Sequence, residues 1–177
     1  MLGLPWLQKG WPRALQDAER AMSVIRSRAE EFNLDPKKIG LVGYSAGGQV
    51  AARLLCGRSK TYRKQDEIDD ASHAPNFGVL IYPWNIYDAK SDALIDGIKV
   101  HVDVPPCFLV HTDDDRSSSL GAVYFYAGLK KLGINSELHV YRNGGHGYGS
   151  RPVPGSYIGT WPERLIQWMT SMKWIEG

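Results

Sequence analysis

The sequence predicts an α/β domain of about four mostly parallel strands flanked by helices. Three observations carry this. There are four short apolar runs, each closed by Gly, Pro or charged residues; stretches of helical length separate most of them; and in "IGLVGYSAGGQV" (39–50) a buried-strand pattern passes into a helical one without a gap.

Taken in order, Pro12 is expected to open a helix of about five turns, because Leu15, Ala18, Met22, Ile25, Ala29 and Phe32 recur at helical spacing with charged residues between them. It should end near "NLDPKK" (33–38), where Pro36 disfavours a helical Asp35. "KIGLVGYS" (38–45) then reads as a buried strand and "AGGQVAARLLC" (46–56) as a second helix. A polar stretch follows, in which "RSKTYRK" (58–64) reads as a solvated loop. "FGVLIYP" (77–83) and "PPCFLVHT" (105–112) are the second and third strands, and the connection between them, residues 84–104, receives no assignment. "SSLGAVYFYAGLKKLGI" (118–134) reads as helix and "SELHVYRN" (136–143) as the fourth strand. The segment 161–177 reads as a terminal helix with Trp161, Leu165, Trp168, Met172 and Ile175 on one face. Such alternation favours parallel pairing with helical cover on both sheet faces.

Totals restrict the function classes. The 177 residues fit one domain, 43% of them hydrophobic and 23% charged, as in a soluble globular protein. A net charge of +2 gives no field for nucleic acid or an anionic membrane. Cys56 and Cys107 lie in apolar contexts that suit buried thiols better than a disulfide or a metal site. The N-terminal "MLGLPWLQKGW" has no signal-peptide pattern, and no stretch is apolar enough for a membrane span, so no address is expected from these residues.

The chemistry centres on Ser45 in Gly43-Tyr44-Ser45-Ala46-Gly47. A chance G-x-S-x-G in this composition is expected at roughly 0.15 per chain, so the pattern is weak alone. The strand before it and the helix after it are the context of a nucleophile elbow, which exposes the hydroxyl and aims the helix N-terminus and the Ala46 N–H at a developing oxyanion. A serine needs a base. Of His73, His101, His111, His139 and His146, only His146 lies in a glycine-rich loop, "NGGHGYG", just beyond a strand; His111 and His139 fall within strands and read as packed side chains. The orienting acid should follow a strand between serine and histidine, and "FLVHTDDDRSS" offers Asp113, Asp114 and Asp115, of which at least one should cap the following turn. Spacing alone leaves that choice open. Tyr44, Trp84, Tyr87, Tyr148 and Tyr157 are aromatic candidates for a substrate pocket, each also explicable as packing.

Together, "LQDAERAMSVIRSRAEEFNLDPKKIGLVG", "GYSAGGQ", "FLVHTDDD" and "ELHVYRNGGHGYG" resemble the esterase/lipase group of the α/β-hydrolase fold that includes acetyl xylan esterases and related carbohydrate esterases. The resemblance spans nearly the whole chain. It implies the C-terminal portion of an α/β-hydrolase fold and cofactor-free cleavage of acetyl or other short acyl esters through an acyl-serine intermediate, with no metal. It carries the triad to Ser45, His146 and Asp115, with Asp114 as second choice for the acid, and one oxyanion donor to Ala46.

Members of that group have further strands and a glycine-rich oxyanion loop ahead of the helix expected at Pro12. The resemblance therefore implies an N-terminally truncated single domain over 1–177, without those strands. Loss of one oxyanion donor costs about 10²–10³ in turnover, so weak activity is expected, the alternative being a catalytically crippled hydrolase serving as a binding or assembly module. The strand "KIGLVGY" would then be an edge of central character, and a homo-oligomer covering it is expected. The expected partners are a small-molecule ester and a second copy, with no nucleic acid and no membrane.

Overall fold

The computed structural model describes residues 5–176; residues 1–4 of the stretch read as lacking a leader, and Gly177 of the expected terminal helix, lie outside them. Four strands, β1 (Leu41–Tyr44), β2 (Gly78–Ile81), β5 (Cys107–Thr112) and β6 (Glu137–Tyr141), form an all-parallel sheet in the order β1-β2-β5-β6. Its register sets Val42 beside Val79 and Val79 beside Phe108. All residues of the two central strands are buried, which is why they read as continuous apolar runs, whereas β1 and β6 are only partly covered.

Side-chain alternation on β5 divides the core. Cys107 and Leu109 face helices α2 (Ser45–Leu55) and α3 (Leu120–Lys131), meeting Ala51, Leu55, Ala122, Phe125 and Leu129. Phe108 and Val110 face the opposite way, onto helix α4 (Trp161–Ser171) through Trp161 and Trp168. Both sheet faces are thus roofed by helix, as the alternating pattern predicts. Cys56 and Cys107 are free thiols, and burial pushes the Cys56 thiol up to about 12.

The structure departs from the sequence reading at four places. Helix α1 (Pro5–Ser27) begins ahead of Pro12, which sits inside it at the loss of one backbone bond, and it stops before Phe32. Beyond Ser27 the chain turns through Asn33 at φ 53°, Leu34 N–H bonds Ala29 O, and Phe32 is exposed beneath the Arg28 guanidinium rather than on a packed helical face. The unassigned connection carries an antiparallel pair, β3 (Tyr87–Asp88) and β4 (Ala93–Leu94), so β2 and β5 are joined without a helix. Helix α4 ends before Met172, and Ile175 lies outside it, partly exposed.

The basic run is the fourth. Lys60 and Tyr62 turn inward to the buried Asp69, which also takes Arg20 at 2.8 Å, while Thr61 bonds the buried Glu19. Burial alone would raise the Asp69 carboxyl, but bonds from Tyr62, the Gln65 amide and Arg20 outweigh it and hold the group far below its ordinary value. This network ties α1 to the loop beneath it. Among the described residues no helix is long and apolar enough to cross a membrane.

Candidate active site

Ser45 is the first residue of α2 and adopts φ 52°, in the left-handed region that a non-glycine residue rarely occupies. The turn there is so tight that a Cβ on Gly43 would lie 2.5 Å from Gly47 O and 2.6 Å from Ala51 Cβ. A glycine at 43 is therefore what lets β1 run straight into the helix. At Gly47, by contrast, a Cβ would meet open space. The first-turn amides of α2, Ala46 among them, have no intrahelical carbonyl to bond and lie at the positive end of the helix dipole.

His146 comes to Ser45 from beyond β6, in a loop where Gly144, Gly145, Gly147 and Gly149 all have positive φ. Its Nε2 is 2.7 Å from Ser45 Oγ, and its Nδ1 is 2.6 Å from Asp115 Oδ2. A buried carboxylate can only accept, so Nδ1–H donates to Asp115, which leaves Nε2 to accept from the serine hydroxyl. The other oxygen, Asp115 Oδ1, accepts the Ser117 amide at 2.8 Å. Asp115 thus both faces the histidine and caps its own turn.

Asp114 is drawn elsewhere. Its carboxylate accepts the amides of Gly145 at 2.8 Å and Gly144 at 3.2 Å, while Thr112 Oγ1 donates to Gly145 O at 2.7 Å. Those amides hold its carboxyl below the ordinary value. The end of β5 therefore grips the backbone of the loop that presents His146. Asp113 is exposed, its amide bonded to Tyr141 O.

Two aromatic rings pack against the imidazole, since Tyr82 and Trp84 each lie T-shaped to it with centroids 4.8 Å away. The Trp84 backbone amide also donates to Ser45 O at 2.9 Å, and Tyr82 sits at φ 38°. Sequence reasoning passed over Tyr82; its signal was its place just beyond the carboxyl end of a parallel strand, where α/β sheets build their sites. Of the other aromatic candidates, Tyr44 is partly exposed with its ring 6.0 Å from that of Tyr82. Tyr148 is buried against Tyr82 at 4.5 Å and forms a wall behind the site rather than an open face. Tyr87 is bonded to Asp92, and Tyr157 lies out on the surface.

The remaining histidines stay apart from Ser45. His139 bonds Glu137, and His101 meets Cys56 O. His73 is half-buried beyond α1, and His111 is fully buried, with Nδ1 4.0 Å from Asp115 Oδ2. Among the described residues no cluster of His, Cys, Asp or Glu could hold a metal ion.

A parallel sheet carrying a serine on a strained strand-to-helix turn, with a histidine and an aspartate lined up behind it, has the layout of a nucleophile elbow in an α/β sheet. Residues 8–103 match the alpha/beta hydrolase fold family, and the chain belongs to it. It is 24% identical over 188 aligned residues to an acetylxylan esterase of Xylanibacter ruminicola, covering 88% of this chain and 35% of that protein. It is 28% identical over 152 residues to endo-1,4-beta-xylanase B of Butyrivibrio fibrisolvens, covering 75% of this chain and 24% of that one. Among solved structures, the acetyl ester-xyloside bifunctional hydrolase of Caldicellulosiruptor lactoaceticus superposes with a TM-score of 0.78 at 30% identity, over 91% of this chain and 66% of that one. The chain thus spans about a third or less of the length of these two curated relatives. The four parallel strands with helices on both faces match part of that fold, as the resemblance implies.

Proposed function

We propose that the chain is a serine carboxylic ester hydrolase for short acyl esters, in which Ser45 is the nucleophile, His146 the base and Asp115 the orienting acid. The observation that carries this is the unbroken run from Ser45 Oγ through the imidazole to Asp115 at 2.7 and 2.6 Å. Ser45 Oγ attacks the carbonyl carbon as its proton passes to His146 Nε2, and Asp115 stabilises the imidazolium. Negative charge on the former carbonyl oxygen is met by the Ala46 N–H and the helix terminus. Collapse breaks the ester bond as His146 protonates the leaving alcohol oxygen. Water, activated by the same histidine, then cleaves the acyl-serine and restores the hydroxyl.

Acetylated carbohydrates are the proposed substrate class, supported by the acetylxylan esterase and acetyl ester-xyloside hydrolase likenesses. The test is hydrolysis of p-nitrophenyl acetate and of acetylated xylan, with covalent labelling by a fluorophosphonate. Ser45→Ala should abolish both turnover and labelling; turnover unchanged in that variant would refute the mechanism.

We further propose that residues 1–177 act as one domain and that a second copy covers the free side of β1. Support comes from Val42, 53% exposed, and Tyr44, 40% exposed, on a strand that pairs only with β2 among the described residues. Sedimentation showing a stable monomer at micromolar concentration would sink the assembly.

A further inference from the structure

One ring removed from His146 stands a cation that the proposed triad does not use. Arg116 is exposed, and its guanidinium carbon lies 5.1 Å from the centre of the Trp84 ring, over its face, while that ring packs T-shaped against His146. Stacking of this kind holds a guanidinium without using its N–H donors. Among the described residues Arg116 makes no ion pair, and the neighbouring carboxylates are committed, Asp114 to two glycine amides and Asp115 to His146 and the Ser117 amide. Asp113 is exposed and not paired with Arg116.

The platform is also rigidly built. Asn85 N–H donates to Ser117 Oγ at 2.8 Å, Ser117 Oγ–H donates to Pro83 O at 3.3 Å, and Trp84 N–H reaches Ser45 O. The segments carrying Trp84 and Arg116 are thereby stitched to each other and to the elbow. A cation so placed is pre-organised, and a ligand pays little ordering cost to meet it.

Its position also says which part of an ester it would meet. The leaving oxygen must come within reach of His146 Nε2 to be protonated, so the alcohol portion passes the imidazole, and Trp84, which packs against that ring, carries Arg116 over its own face. We propose that Arg116, stacked on Trp84, forms a subsite for a carboxylate on the alcohol portion of the substrate, so that the enzyme favours acyl esters of hydroxy acids or sugar acids over their neutral counterparts. The guanidinium fork matches a carboxylate in two parallel hydrogen bonds. This deepens the proposed esterase function and rests on it.

The test compares kcat/KM for 4-acetoxybenzoate with that for its methyl ester, a matched anionic and neutral pair. Their ratio should fall about tenfold in Arg116→Gln, the size of one charge-assisted contact, and further in Arg116→Glu. A ratio within about twofold of the wild type in both variants would overturn the subsite. If the wild type hydrolyses neither ester, the esterase reading fails by itself, and the subsite is judged by ligand-observed NMR of 4-hydroxybenzoate. Binding lost in Arg116→Gln supports it, whereas equal binding in wild type and variant overturns it.

Discussion

Asp115 gives one carboxylate oxygen to His146 at 2.6 Å and the other to the amide of Ser117 at 2.8 Å, so the residue that orients the imidazole is itself held by its own turn. Asp115→Asn keeps the size but offers an amide where an acceptor is needed, which favours the wrong imidazole tautomer. Turnover of p-nitrophenyl acetate should drop about 10³–10⁴-fold with little change in KM. A fall under tenfold would show that another group orients His146.

Asp114 holds the His146 loop by its backbone, through Gly144 and Gly145. Asp114→Ala removes both acceptors and should lower kcat about tenfold, while Asp114→Asn, which keeps one acceptor oxygen, should recover part of the loss. Because the amides depress the Asp114 carboxyl, its contribution to stability is present above the unfolded carboxylate value and is lost as pH falls through the lower folded value. Urea unfolding at pH 5 and at pH 3 should therefore separate wild type from Asp114→Asn at the higher pH and bring them together at the lower. Equal stability at both would remove Asp114 from the loop's support.

Burial pushes the His111 imidazole below its ordinary range, the hydrogen bond with the Thr112 backbone and the nearby Asp115 offsetting this only in part. The folded protein then binds fewer protons there than the unfolded chain. Stability from the neutral ring is complete above the unfolded histidine value, about 6.5, and drains away as pH falls below it towards the folded value. His111→Gln should flatten the slope of unfolding free energy between pH 7 and 5, measured by denaturant titration. An unchanged slope would assign the acid sensitivity elsewhere.

The two glycines flanking Tyr44-Ser45-Ala46 should respond oppositely to a methyl group. Gly43→Ala drives a Cβ into the backbone of Gly47 and into Ala51, at a cost of about 1–3 kcal/mol. Gly47→Ala meets nothing and replaces a helical glycine by the best helix former, so its stability should match or exceed the wild type by up to about 1 kcal/mol. Thermal melting of both variants decides it; equal destabilisation would mean the elbow is tight on both sides.

Much of the candidate site is legible in the sequence because its signals are local. Ser45 sits at a strand-to-helix junction that periodicity marks, and His146 follows a strand in a run of glycines that announces unusual backbone. The choice among three consecutive aspartates is different: adjacent residues of one turn point apart, and only packing sends Asp115 inward and Asp114 to the glycine amides. The β3–β4 pair escaped notice because strands of two half-buried residues have no period to detect. "RSKTYRK" misled for a related reason, since charge in sequence says nothing of the buried Asp69 that Lys60 and Arg20 fold over. Tyr82 and the Arg116–Trp84 stack depend on contacts between separate loops, which spacing along the chain does not record.

The proposed base and acid hang from neighbouring strands, β6 and β5, and are locked together by Thr112 and Asp114, whereas the proposed nucleophile stands two strands from the acid on β1, which pairs only with β2 among the described residues. Mechanically, the proposed triad is two pieces: a stiff His–Asp bracket and a separately mounted serine. Fraying at β1 would carry Ser45 out of reach and leave the bracket assembled, so hydrogen exchange should find the elbow opening at lower free energy than the ends of β5 and β6. Whatever covers β1 would then govern how often the nucleophile is in place, without touching it.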